Sequence, residues 1–193
     1  MLTSQEDIKL LEKDLCGRLP YIVYATIDVK AYLDWLPDES PDESGDEGYI
    51  PFKERMEIYL RASNKTVEDV SNEPTTISGF PCGGRFDTFN LCHEEYGIPV
   101  EFIKPFYRPM SSMTKEEESE YYNLLNGVDL DGQDKRYWYV FPNAAHVVID
   151  WLDQHMFDHR GLIERGIAQE APADMYVFFD PTTKKTQPYW RRR

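Results

Sequence analysis

Cysteine is scarce in this chain of 193 residues, and long hydrophobic runs are absent. The three cysteines, Cys16, Cys82 and Cys92, include no pair at CxxC spacing. A small, odd number of cysteines argues against a disulfide framework and is typical of a reducing compartment. Because no run reaches roughly 18 apolar residues, the sequence predicts no membrane-spanning helix. The N-terminal segment has acidic side chains within its apolar stretch, unlike a signal peptide, so we expect a cytoplasmic protein.

Positive charge is also in short supply. The chain has 21 Lys and Arg residues against 35 Asp and Glu residues, which gives a net charge of −14. Such a field repels the phosphates of nucleic acids and the headgroups of anionic lipids. We therefore expect another protein as the partner, and neither a membrane nor directly bound nucleic acid.

Sequence motifs for cofactor binding are missing. The glycine-rich segment 78–86 (SGFPCGGRF) has neither the GxGxxG pattern nor a P-loop pattern ending in GKS or GKT, so it predicts a hairpin turn. Asp129, Asp131 and Asp134 resemble the start of a calcium loop, but the later glycine and glutamate of such a loop are absent. The sequence therefore predicts no cofactor, and no residue stands out as catalytic.

What the chain does have is enough apolar surface for a folded core. Hydrophobic residues make up 41% of the chain and aromatic residues 14%. We predict a single α+β domain over residues 1–193, with a small antiparallel sheet or partly open barrel and about three helices packed on it. The acidic segment 34–48 (DWLPDESPDESGDEG) cannot bury itself and predicts a mobile surface loop. Residues 181–193 are expected to form a polar C-terminal tail.

Three segments predict helices, and two of them begin with a threonine followed three residues later by a glutamate, the spacing of a capping box. These helices cover residues 4–16, 112–126 and 143–157, with the capping pairs Thr3 with Glu6 and Thr114 with Glu117. Short β-branched and aromatic runs between turn residues predict strands. The predicted strands are residues 21–29, 56–61, 75–80, 85–91, 100–104, 136–141 and 175–179.

The helix predicted over 143–157 has two distinct faces. Residues placed 100° apart put one apolar group against the core and a second, polar group elsewhere. The apolar group is Ala145, Val148, Ile149, Leu152 and Met156, and the polar group is His146, Asp150 and Asp153.

Candidate metal ligands follow this helix. His155 and His159 lie four residues apart with Asp158 between them, and imidazole and carboxylate are suitable ligands. Helical geometry does not bring the three to one point, so we predict no metal site. We expect instead a partly buried His155 and a turn stabilised by Asp158 or His159 through hydrogen bonds to the backbone.

Three segments carry a family resemblance. They are residues 13–21 (KDLCGRLPY), residues 103–121 (IKPFYRPMSSMTKEEESEY) and residues 151–176 (WLDQHMFDHRGLIERGIAQEAPADMY). In sequence, order and spacing these segments resemble a family of small uncharacterised proteins of Bacteroides-group bacteria and of their phages and mobile elements. The resemblance covers the N-terminal helix and strand and most of residues 103–176. It implies a bacterial or phage context and no particular activity.

The two arginines within the resembling segments have two interpretations. Arg108 and Arg160 are expected to pair with carboxylates and so to fix the packing of the second and third predicted helices. In the alternative, loop residues of this type line one shared ligand groove. The candidate groove residues are Arg108, Ser111, Ser112, His155, His159 and Arg160.

Three functions remain open from the sequence. The absence of catalytic spacing, the negative charge and the resemblance favour a non-enzymatic cytoplasmic protein, with a binding or regulatory role, that acts through protein contact. One alternative is a small metal-dependent hydrolase that uses His155, His159 and neighbouring carboxylates. Another is a structural or assembly component of a phage.

Overall fold

The computed structural model describes residues 4–36, 50–78, 85–88, 97–125, 144–180 and 185–188. It confirms a mixed α+β fold. Contacts within the chain divide it into two compact units, Met1–Pro105 and Phe106–Arg193. The single domain over residues 1–193 stays a prediction.

The first unit has a sheet with helices between its strands. In chain order its elements are α1 (Gln5–Arg18), β1 (Val23–Ile27), α2 (Val29–Trp35), α3 (Phe52–Ser63), α4 (Val67–Asn72), β2 (Thr75–Ser78), β3 (Arg85–Thr88), β4 (Ile98–Pro99), a 3-10 turn (Val100–Phe102) and the first residues of β5 (Ile103–Tyr107). The strand order is β4-β3-β2-β1-β5, and every neighbouring pair is antiparallel. In the register of this sheet, Ala25 lies opposite Thr75 on one side and Pro105 on the other.

Helix α1 confirms the helix predicted over 4–16, with shifted ends. The Ser4 hydroxyl accepts a hydrogen bond from the Asp7 N–H at 3.4 Å, so Ser4 is the N-cap, and Thr3 lies outside the described residues. Leu11 and Leu15 are buried at i and i+4, as an amphipathic helix requires. The helix continues through Gly17 to Arg18, and Arg18 is buried.

The core of the first unit combines strand residues with an aromatic cluster. Alternate residues of β1, which are Val23, Ala25 and Ile27, are buried. On the helical side the Tyr32 ring lies 5.7 Å from the Phe52 ring and 5.6 Å from the Phe102 ring, measured between centroids. These contacts bury the large aromatic side chains on which the unit depends.

The strand predicted over 56–61 is wrong, because these residues lie inside α3. Phe52 and Met56, four residues apart, are the buried residues of this helix. The apolar residues Ile58 and Tyr59, which suggested a strand, are exposed. The helix ends at Asn64, whose φ of 53° is left-handed, as is common at helix C-termini.

The second unit contains short strands and two helices of 11 residues each. After the last residues of β5 come a 3-10 turn (Met110–Ser112), α5 (Lys115–Leu125), α6 (Ala144–Gln154), β6 (Gln169–Glu170), β7 (Val177–Asp180) and β8 (Lys185–Pro188). Strand β6 pairs in parallel with the end of β5, so the pairing is mixed and not purely antiparallel. Strands β7 and β8 form a separate antiparallel pair.

Two predicted irregular segments are partly regular. Asp34 and Trp35, which begin the predicted acidic loop, belong to α2, and residues 37–48 of that loop lie outside the described residues. Within the predicted tail, Lys185–Pro188 form β8, because they pair with Val177–Asp180. The predicted strand 136–141, the calcium-like segment and most of the glycine-rich turn also lie outside the described residues.

Helix α6 buries part of the predicted apolar face, with Leu152 buried and Val148 packed against the core, together with Trp151, which was not in the predicted group. Trp151, Leu152 and Phe157 form the core of the second unit, and five further side chains pack against it: Met110, Met113, Tyr121, Leu124 and Val148. Ile149 is 38% exposed, whereas Asp153 is buried. The large Trp151 ring sets the inward face, because it buries more apolar area than Ile149 would.

The C-terminal end of α6 also differs from the prediction. Helical hydrogen bonding stops before Met156, whose φ is 58°. The Met156 N–H donates to the Asp153 carbonyl at 3.1 Å and the Phe157 N–H donates to the Leu152 carbonyl at 3.0 Å, the two bonds of a Schellman motif. Glycine usually occupies this left-handed position, so its absence from the sequence hid the helix end. No helix in the described ranges is long and apolar enough to span a bilayer.

Candidate functional site

Arg108 is the first residue of the candidate site in the second unit. It follows β5, and its backbone forms a bridge to the residues after α6: the Arg108 N–H donates to the Met156 carbonyl at 2.7 Å, and the Asp158 N–H donates to the Arg108 carbonyl at 2.8 Å. These two hydrogen bonds therefore fix the backbone of Arg108 independently of its side-chain contacts.

The Arg108 guanidinium binds Glu117 in the first turn of α5. Nη1 donates to Oε1 and Nη2 donates to Oε2, each at 2.8 Å, and Nη2 also donates to the Ser112 carbonyl at 3.3 Å. The two side chains are 15% and 7% exposed, so solvent screens the pair weakly. The prediction that Arg108 pairs with a carboxylate is confirmed, and that carboxylate belongs to α5.

Glu117 also closes the predicted capping box. The Thr114 N–H donates to Glu117 Oε2 at 2.9 Å, and the Glu117 N–H donates to Thr114 Oγ1 at 3.2 Å. Burial raises the pKa of Glu117, but hydrogen bonds from Arg108 and from the Thr114 backbone, together with the charge of Arg108, lower the pKa below its ordinary value. Glu117 is therefore held as a carboxylate.

An aromatic stack lies beneath this ion pair. The Arg108 Cζ atom is 4.3 Å from the centroid of the Phe157 ring, within the range of a cation–π contact. The Phe157 and Trp151 rings are stacked at 5.8 Å, and the His155 ring stacks on Trp151 at 3.9 Å. The guanidinium thus has a carboxylate at its edge and an aromatic face below it.

His155 makes a hydrogen bond within the second unit. Its side chain is buried, and Nδ1 lies 2.7 Å from the Trp151 carbonyl, which can only accept a hydrogen bond, so Nδ1 is the donor. We expected a partly buried His155, and the structure buries it more fully, at 4% exposure. The sequence signal was present, because Trp151 lies one helical turn before His155.

Asp158 stabilises the turn that follows α6. Its Oδ1 accepts a hydrogen bond from the Leu162 N–H and its Oδ2 accepts one from the Ile163 N–H, both at 2.8 Å. Both carboxylate oxygens therefore hold backbone groups. The prediction that Asp158 stabilises the turn through the backbone is confirmed.

His159 pairs with Asp153, a member of the polar group of the predicted helix. His159 Nε2 lies 2.8 Å from Asp153 Oδ1, and the two side chains are 12% and 5% exposed. The helix predicted over residues 143–157 placed Asp153 in its polar group and did not include His159, so the predicted faces could not show this contact. The helix ends at Gln154, and the chain turns back far enough for His159 to reach the Asp153 carboxylate.

The three candidate metal ligands do not converge. Among the residues that the structure describes, His155, Asp158 and His159 do not present their ligand atoms as one close group. Asp158 faces the backbone of the following turn, while His155 faces the Trp151 carbonyl and His159 faces Asp153. His146 is exposed in the first turns of α6.

The remaining groove candidates occupy different surroundings. Ser111 and Ser112 are exposed in the 3-10 turn before α5, and the Ser112 carbonyl receives the Arg108 side chain. Arg160 is half-buried, and its pairing with a carboxylate stays a prediction. The shared groove likewise stays a prediction.

A second ion pair, in the first unit, was not singled out from the sequence. The Arg18 Nε donates to Asp14 Oδ2 at 2.8 Å and Arg18 Nη2 donates to Asp14 Oδ1 at 3.3 Å, with both side chains fully buried. The signal was the i, i+4 spacing of an aspartate and an arginine within residues 13–21. Amphipathic periodicity hid it, because charged residues are normally assigned to the solvent side.

Comparison of the chain with known protein families, with curated proteins and with solved structures finds no match. The functional argument therefore depends on the residues themselves.

Proposed function

We propose that this chain is a non-enzymatic binding or regulatory protein that acts by contact with another protein. One observation carries the proposal: three polar side chains of the second unit that are suited to chemistry are engaged in holding that unit together. Glu117 is bound by Arg108, Asp158 holds two backbone N–H groups, and His155 binds the Trp151 carbonyl. A catalytic acid, base or nucleophile would need such a group to be directed at a substrate.

The charge of the chain supports the same proposal and limits the partner. A net charge of −14 favours association with a basic protein surface and raises the association rate at low salt. The same charge opposes direct binding of nucleic acid or of anionic lipid. A bacterial or phage setting follows from the family resemblance and belongs to this proposal.

A pull-down tests this function. The full chain, tagged at its N-terminus, is incubated with lysate of a Bacteroides-group bacterium at low and at physiological salt. We expect a stoichiometric partner of basic character whose capture weakens as salt increases. A chain that remains alone under both conditions contradicts the proposal, and a large defined oligomer of the chain in size-exclusion chromatography would favour the phage assembly component.

A metal-dependent hydrolase is the second candidate, favoured by the pair formed by Asp153 and His159. Their 2.8 Å contact joins a carboxylate and an imidazole, two groups that bind divalent transition metals or exchange protons. Elemental analysis of the chain, purified without chelator, tests it. A stoichiometric metal that is lost in the variant His159→Gln would favour the hydrolase over the binding protein, and a metal content near zero would remove it.

A further inference from the structure

Helix α5 carries the same three residue types twice, side by side. Glutamate, tyrosine and leucine occur as the adjacent pairs Glu117 with Glu118, Tyr121 with Tyr122, and Leu124 with Leu125. Residues at i, i+4 and i+7 share one face of a helix, and a shift of one residue rotates the face by about 100°. The helix therefore has two stripes of equal composition: the inward stripe (Glu117, Tyr121, Leu124) and the outward stripe (Glu118, Tyr122, Leu125).

The inward stripe shows what these three side chains bind within the second unit. Glu117 binds the Arg108 guanidinium through two hydrogen bonds. The Tyr121 ring lies 6.0 Å from the Trp151 ring, and Leu124 packs against the core around Trp151. Along the helix, the inward stripe thus contacts, in this order, a basic side chain, an aromatic ring and an apolar surface.

The outward stripe offers the same groups to solvent. Tyr122 is 53% exposed and Leu125 is 51% exposed, the two highest values among the large hydrophobic residues that the structure describes. Glu118 is exposed as well. The Tyr122 ring lies 5.9 Å from the Tyr121 ring, a contact with a side chain that is itself part of the core packing. Single exposed hydrophobic residues are ordinary, whereas these two lie together on one stripe of the helix, beside a carboxylate.

We propose that the outward stripe is the docking surface for a basic, amphipathic segment of another protein. The segment places an arginine or lysine against Glu118 and apolar side chains against Tyr122 and Leu125, as the unit itself does on the inward stripe. This inference rests on the proposed function and names its surface and the chemistry of its partner.

Charge decides between the possible occupants of this surface. Glu116 and Glu118 are both exposed on the same helix, so the region around the stripe attracts a cation. A second copy of the chain would bring another net charge of −14 to the contact, and an anionic lipid surface would also be repelled. A cationic protein segment is the occupant that these charges favour.

Synthetic peptides test the surface. The first peptide, about 18 residues long, is a lysine-rich amphipathic helix that presents Arg, Trp and Leu at i, i+4 and i+7. The second peptide has Glu in place of that Arg, and the third has the composition of the first in scrambled order. Fluorescence anisotropy of labelled peptide against the full chain measures affinity, and we expect the first peptide to bind roughly tenfold more tightly than the other two.

Variants of exposed residues locate the binding. The double variant Tyr122→Ser, Leu125→Ser should weaken binding of the first peptide roughly tenfold, because it removes both apolar contacts. The matched control is Val147→Ser, Ile149→Ser on α6, where the side chains are 44% and 38% exposed. The control should bind like the unchanged chain. Circular dichroism and urea unfolding verify that both variants fold.

A charge swap tests the role of Glu118. In the variant Glu118→Lys the first peptide should lose affinity and the second, with Glu in place of Arg, should gain it, because the attraction is reversed. Equal binding of the three peptides, equal effects of the α5 and α6 variants, or a swap without effect each overturns the inference.

The pull-down separates this inference from the proposed function. A partner captured equally by the unchanged chain and by the Tyr122→Ser, Leu125→Ser variant leaves the binding function standing and overturns this surface. A chain that captures no partner overturns the binding function, and with it this inference.

Discussion

The Arg108 guanidinium donates to both carboxylate oxygens of Glu117 while its Cζ atom lies 4.3 Å from the centroid of the Phe157 ring. One side chain thereby joins three places in the second unit: the residue after β5, the first turn of α5 and the chain that follows α6. The Arg108 backbone is also hydrogen-bonded to Met156 and Asp158, so the position of Arg108 is restricted at both its backbone and its side chain.

Removal of the Glu117 charge should destabilise the chain. In Glu117→Gln the Arg108 guanidinium keeps its place but loses its carboxylate, and we expect the free energy of unfolding to fall by about 2–4 kcal/mol. Urea unfolding measures the change. The exposed neighbour offers a matched control, since Glu118→Gln should cost less than about 0.5 kcal/mol. Equal costs for the two variants would show that the ion pair contributes nothing specific.

The same carboxylate predicts a dependence of stability on pH. The pKa of Glu117 in the folded chain is below the ordinary value of 4.5, so between the two values the folded state binds fewer protons than the unfolded state. The contribution of Glu117 is complete above the ordinary value and is lost as the pH falls through the lowered one. Urea midpoints measured from neutral pH to about pH 3 should therefore converge for the unchanged chain and Glu117→Gln. A difference that stays constant over this range would contradict the shift.

Asp158 should control the stability of the turn after α6. In Asp158→Ala the Leu162 and Ile163 N–H groups lose their acceptors, and we expect a cost of about 2–4 kcal/mol. Hydrogen exchange should accelerate at these two amides first, because they are the groups released. Asp174→Ala, at an exposed aspartate of the same unit, is the control. Unchanged protection at Leu162 and Ile163 would show that another group holds the turn.

The buried pair in α1 predicts a non-additive result. Arg18→Met leaves the Asp14 carboxylate buried without its guanidinium, which should cost about 3–5 kcal/mol, whereas Asp14→Leu with Arg18→Met removes both charges and should restore part of that loss. Urea unfolding of the two single variants and the double variant gives the coupling. If the loss of unfolding free energy in the double variant equals the sum of the losses in the two single variants, Asp14 and Arg18 act independently.

Local patterns in the sequence predicted those parts of the fold that depend on neighbouring residues. The capping box of Thr114 and Glu117 and the turn at Asp158 need only groups within five residues, and both are present. The helix predicted over 4–16 is likewise present as α1, with shifted ends. The strand predicted over 56–61 failed because Ile58 and Tyr59 suit either structure, and the packing of Phe52 and Met56 selected a helix.

By itself the sequence determined the α+β class, the negative charge, and the helix starts and turns that short-range hydrogen bonds specify. Only the tertiary structure decided that Arg108 meets Glu117 above Phe157, that Asp153 meets His159, and that Tyr122 and Leu125 face solvent while Tyr121 and Leu124 do not. The physical reason is that hydrogen bonds between near neighbours depend on the local chain conformation. Burial and ion pairing between distant segments depend instead on how those segments pack, and a one-residue rotation of a helix changes which side chain is buried.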